Sequence, residues 1–138
     1  MNAHLLDTGV IVGLLDSREQ FHQQCVEAVN SSDVPLLTCE PVVAEACYLL
    51  RHLHGAVDRI LENVERGEFL VTTQLSLRVR NIRRLIKKYA DTPMDFADAC
   101  LVDLAGEVKS GRILTLDSDF QVYRWGRNRP FDLLINLD

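Results

Sequence analysis

The sequence lacks the features of several functional classes. No apolar run in its 138 residues approaches the roughly 18–20 needed to span a bilayer, so no membrane association is expected. The N-terminus has no basic start, apolar core or small-residue cleavage site of a secretory signal, and a cytoplasmic location follows as the expectation. Cysteine is sparse: Cys25, Cys39, Cys47 and Cys100 form no C-x-x-C pair and no spacing suited to zinc. They read as reduced core residues. Cations are also in deficit. Fifteen Lys and Arg against twenty Asp and Glu give a net charge of −5, which argues against a protein whose whole surface grips nucleic acid.

What is present is an ordinary globular composition, 47% apolar and 25% charged, in a length expected to form one domain over residues 1–138. Its charge is unevenly placed. The stretch "SLRVRNIRRLIKKYA" at 76–90 holds six cations and no acid, leaving a balance of −11 for the remainder. Short β-rich runs ("HLLD", "PLLT", "EFLVTT", "RILTLD", "FDLLIN") alternate with helical periodicities. That alternation predicts a three-layer α/β/α sandwich around a mostly parallel sheet. The helix at about 75–90 is expected to turn Val79, Ile82, Leu85, Ile86 and Tyr89 inward. "SDFQVYRW" reads as a short helical turn, and Gly111 as the residue that ends the preceding helix.

The acids fall at telling places. Ligands of open parallel sheets bind beyond the carboxyl ends of the strands, and Asp7 and Asp117 each end a predicted strand. Asp95 and Asp98 share the first turn of a helix. Glu45 is the lone charge in "PVVAEACYLL", where burial is costly unless the carboxylate is paired, protonated or metal-bound. Acids converging without cations repel one another, and a divalent cation reverses that effect. Oxygen ligands suit Mg²⁺ or Mn²⁺, and the fitting reaction is phosphodiester hydrolysis. Plainer roles stay open: Asp7, Asp95 and Asp98 as helix caps or first-turn acids, and Asp117 and Asp119 as turn residues. "DTG" at 7–9 is also the motif of aspartic proteases, but one copy would require paired all-β halves, which this helical pattern excludes. The cations Arg80, Arg83, Arg84, Lys87 and Lys88 form a helical stripe suited to RNA phosphates, to an acidic partner segment, or simply to solvent.

Four segments, "LLDTGVIVGLLD", "TCEPVVAEACYLL", "MDFADACLVDLA" and "ILTLDSDF", resemble in order and spacing those of PIN domains, and the length resembles the VapC-type toxin ribonucleases. The resemblance implies a Mg²⁺- or Mn²⁺-dependent endoribonuclease with Asp7, Glu45, Asp98 and Asp117 as metal-binding and catalytic acids. It further implies Thr8 and Thr115 as hydroxyl partners, Asp95 and Asp119 as supporting acids, a homodimer, an RNA substrate and a small antitoxin. Gly9 departs from the pattern, standing where the family usually has Asn or Ser. A nuclease-inactive RNA- or protein-binding module and a non-toxin RNA-processing nuclease are the alternatives.

Overall fold

A computed structural model describes residues 2–137. In chain order the elements are β1 (His4–Leu6), α1 (Thr8–Leu15), α2 (His22–Ser31), β2 (Leu36–Thr38), α3 (Glu40–Leu49), α4 (Ala56–Glu65), β3 (Phe69–Val71), α5 (Leu75–Lys88), α6 (Phe96–Val108), β4 (Arg112–Leu114), a 3₁₀ turn (Ser118–Gln121), β5 (Arg124–Trp125), β6 (Arg129–Pro130) and β7 (Asp132–Leu133). Five strands form one parallel sheet in the order β3-β2-β1-β4-β7, flanked by helices, and β5 and β6 pair antiparallel beside it. This is the expected α/β/α sandwich. The central strands β1 and β2 are buried along their whole length, as parallel strands covered on both faces must be.

The order of the strands locates the site. From β1 the chain steps to β2 and β3 on one side, then returns through α5 and α6 to place β4 on the other side of β1. A crevice therefore opens between the carboxyl ends of β1 and β4, where the winding direction changes. Leu5 pairs with Ile113 and Leu6 with Leu114. The Asp7 N–H extends this ladder by donating to the Leu114 carbonyl at 3.0 Å.

Two glycines are explained by packing. A Cβ on Gly13 would lie 2.6 Å from Cys25 Sγ, so α1 and α2 approach through that gap. A Cβ on Gly111 would lie 1.9 Å from Trp125 Nε1. Gly111 does not end α6, as the sequence suggested; Lys109, with φ of 56°, turns the chain there, and Gly111 makes room for the indole. Trp125 is buried and donates to the Pro130 carbonyl at 3.1 Å, which makes it a core residue. "SDFQVYRW" is a 3₁₀ turn only to Gln121; Arg124 and Trp125 are a strand. Helix α5 buries Ile82 and Leu85 but leaves Val79 and Ile86 exposed, because it rests mainly on α6 and the expected apolar stripe is wider than that contact.

Gly111→Ala is expected to lower stability by about 1–3 kcal/mol, the usual cost of forcing atoms into a filled core, as measured by urea unfolding. Gly9→Ala, whose Cβ would meet nothing closer than 3.8 Å, is expected to be neutral or stabilising by a few tenths of a kcal/mol.

Candidate functional site

Asp7 caps α1 and closes the crevice at once. Its Oδ1 accepts from the Thr8 N–H at 2.8 Å, and its Oδ2 accepts from the Thr115 hydroxyl at 2.7 Å. The cap and the site are thus one carboxylate. Burial pushes its pKa up to about 6, with Asp117 and Glu45 adding to the rise and the bonds from Thr115 and Thr8 opposing it. Thr115 is fully buried, and its oxygen also accepts from the Asp117 N–H at 3.0 Å. Asp117 caps the 3₁₀ turn through Oδ1, which accepts from the Asp119 N–H at 2.9 Å.

Asp98 enters from α6. Asp95 caps that helix by accepting from the Asp98 N–H at 2.8 Å, and Asp98 Oδ2 reaches back to the Asp95 N–H at 3.4 Å. This reciprocal pair fixes the first turn and sets Asp98 facing inward. Burial raises its pKa to about 7, reinforced by Asp95, Asp7 and Asp117. These mutual effects place Asp7, Asp98 and Asp117 within electrostatic reach of one another, with Glu45 bearing on Asp7.

Glu45 is not buried. It lies on the exposed side of α3, which buries Val42 and Ala46 instead. The burial cost argued from its apolar neighbours therefore does not apply: Tyr48 and Leu49 are exposed on that helix as well, so the apolar run is only partly core.

Tyr123 is a residue that sequence reasoning missed. It is fully buried in a cluster of edge-to-face rings with Tyr89 and Phe120, and its hydroxyl donates to Asp98 Oδ2 at 3.4 Å. Burial and the nearby Asp98, Asp119 and Asp117 carboxylates push its pKa up, so it remains a neutral donor facing acids. It lies in the segment read as a turn of helix, where no periodicity marks it. The basic helix is also divided in use. Arg78 is engaged by buried Asp103, with bonds of 3.0 and 2.8 Å, and by Glu107 at 2.5 Å. Arg80, Arg83, Arg84, Lys87 and Lys88 remain on exposed positions.

Among the described residues, no ion pair joins Asp7, Glu45, Asp98 or Asp117 to a cation, and no three His, Cys, Asp or Glu side chains are gathered closely enough to enclose a metal by themselves. The Thr8 hydroxyl, beside Asp7, is a buried oxygen without a hydrogen-bond partner. Such an atom is costly to leave unsatisfied. Oxygen donors without cations, next to an unsatisfied hydroxyl, fit a hard divalent ion, and Mg²⁺ typically takes only one or two carboxylates and keeps several waters.

In metal-free protein the two raised carboxyls have a signed consequence. Each binds its proton more tightly folded than unfolded, so stability is expected to fall as pH rises from about 4 to about 7. In EDTA, Asp98→Asn should flatten that decline and be more stable than the parent above pH 7, by about 2 kcal/mol. Urea unfolding at several pH values reads both effects.

Comparison with known proteins agrees with this architecture. The PIN domain family model matches residues 4–126. The chain is 30% identical over 115 residues to Ribonuclease VapC26 of Mycobacterium tuberculosis (strain ATCC 25618 / H37Rv), covering 82% of this chain and 85% of that protein. With its acids at the β1–β4 crevice and a match over most of its length, this chain belongs to the PIN domain family.

Proposed function

We propose that this chain is a Mg²⁺- or Mn²⁺-dependent endoribonuclease and the toxin of a toxin–antitoxin pair. The observation that carries the reading is the group of acids at the β1–β4 crevice with no cation among them. The similarity to a protein named as a ribonuclease points the same way. Asp7, Glu45, Asp98 and Asp117 would hold the ion, directly or through water. When bound, such an ion supplies Lewis acidity, which activates water and offsets charge developing on a phosphoryl group.

The chain's own residues do the positioning. Thr115 and the Thr8 N–H fix both oxygens of Asp7, so its carboxylate is oriented before any ligand arrives. Asp95 and Tyr123 hold one oxygen of Asp98 and leave the other for the ion. The Thr8 hydroxyl, a buried oxygen without a hydrogen-bond partner beside Asp7, would offer a further oxygen contact there. Cations of α5 hold the RNA backbone, and water is the attacking group. A homodimer and a small antitoxin partner complete the proposal by family resemblance.

The test incubates the protein with a mixed pool of structured RNAs in Mn²⁺, Mg²⁺ or EDTA. Metal-dependent cleavage is expected, with a loss of at least about 100-fold in Asp98→Asn, the scale on which removing a group that stabilises transition-state charge acts; that variant should keep its circular dichroism. Full activity in Asp98→Asn would overturn the site. Mn²⁺ should raise the melting temperature of the parent more than that of the variant, because an ion that binds only the folded state stabilises it. Folded, metal-binding protein that cleaves nothing would favour the RNA- or protein-binding module.

A further inference from the structure

The basic residues of α5 do not form one uniform face. Arg84 and Lys88 line a cleft of about 270 Å³ that α5 shares with α6 and the β5–β6 turn, where Arg124 and Gly126 contribute from the far side. Arg83 and Lys87 lie a third of a turn away and do not line it. Arg78 and Asp103 also line the cleft but largely cancel: the Arg78 guanidinium grips Asp103 with two bonds and pairs with Glu107 beside it.

The other three cations have no acidic partner among the described residues. Arg84 donates through Nε and Nη2 to the Asn81 amide oxygen at 3.0 and 2.8 Å. Lys88 Nζ lies 5.3 Å from the Tyr89 ring centroid. Arg124 uses Nη1 on the carbonyls of Gln121, Val122 and Tyr123. Neutral oxygens and a ring thus hold three positive groups around one concave space in a protein that is otherwise acidic. An anion is the complementary occupant.

The cleft is tied to the acids. Arg124 directly follows Tyr123, whose hydroxyl meets Asp98, and the Arg124 N–H donates to the Tyr89 hydroxyl at 2.9 Å. Helix α6 begins its run at the site with Asp98 and lines the cleft from Val102 to Gly106, rises of about 6 to about 12 Å at about 1.5 Å per residue. That separation corresponds to about two to four nucleotides at the stacked rise of about 3.4 Å per strand.

We propose that this cleft, through Arg84, Lys88 and Arg124, is a backbone-binding site for single-stranded RNA, holding phosphates a few nucleotides from the scissile bond. The assignment rests on the ribonuclease reading and names where the strand runs. It makes Arg124, which lies outside the basic helix, part of the RNA path and gives Arg83 and Lys87 no share in it.

The test measures binding of a fluorescein-labelled single-stranded RNA of mixed sequence, in EDTA, over a range of salt. Removing one phosphate-binding cation should make the slope of log K against log[salt] shallower by about 0.7. Arg84→Gln with Lys88→Gln is expected to weaken binding and flatten the slope by about 1.4. Arg124→Gln should flatten it further, while Arg124→Lys keeps the charge and the slope. Arg59→Gln on α4 is the control and should change nothing; an equal effect there would overturn the cleft in favour of a general field. Unchanged RNA binding in the double variant would overturn it too. So would selective loss of binding to polyglutamate or to inorganic phosphate, which would reassign the cleft to an acidic protein segment or to the free anion. Parent protein that binds no RNA under any condition would instead overturn the ribonuclease reading itself. Thermal unfolding shows that each variant is folded.

Discussion

The hydrogen bond from Thr115 to Asp7, 2.7 Å long between residues 108 apart in sequence, is the contact on which the site depends. It exists because β4 returns to pair with β1 on the side opposite β2, so that the residues following both strands meet at one edge of the sheet. Asp7 cannot be displaced without also uncapping α1, and Thr115 cannot move without disturbing Asp117, whose N–H it accepts. A buried carboxylate with both oxygens engaged is costly to desolvate but easy to orient. The hydrophobic core offsets the desolvation cost when the chain folds.

The other candidate acids come from different elements and bear on one another electrostatically. Asp98 comes from the first turn of α6 and is aimed by the reciprocal cap with Asp95. Asp117 comes from the 3₁₀ turn, and Glu45 from the exposed side of α3. Burial pushes Asp7 and Asp98 toward protonation near neutral pH, and the like charges of their acidic neighbours add to it. The aromatic cluster around Tyr123 contributes a neutral donor to this group and links it mechanically to Tyr89 at the end of the basic helix.

A similar division of roles appears in α5. One arginine, Arg78, is committed to the buried Asp103 and so anchors the helix to α6. Breaking such a pair would strand a buried charge. On the anchored helix, Arg84 and Lys88 line one cleft with Arg124.

The order of the sheet strands and main helices, the parallel class of sheet and the strand end at Asp7 were legible in the sequence, because hydrophobic periodicity and strand-end position are local properties of the chain; Asp117 instead lies three residues past β4, as the cap of the 3₁₀ turn. The four PIN-like segments were legible for the same reason, each being a few residues long. Local pattern failed where a residue's environment is set by distant partners. Glu45 looked buried from its neighbours in sequence but is exposed, Val79 and Ile86 looked like core but are not, and Gly111 looked like a helix stop but accommodates Trp125. Tyr123, Arg124 and Asp103 carried no signal, since what matters about them is a contact with Asp98, a shared cleft with Arg84 and Lys88, and a pair with Arg78. The sequence by itself determined which chemistry was available, through residue types and their strand-end and helix-cap positions. Only the tertiary structure decided which of those groups meet, because burial and proximity arise when segments many tens of residues apart pack together.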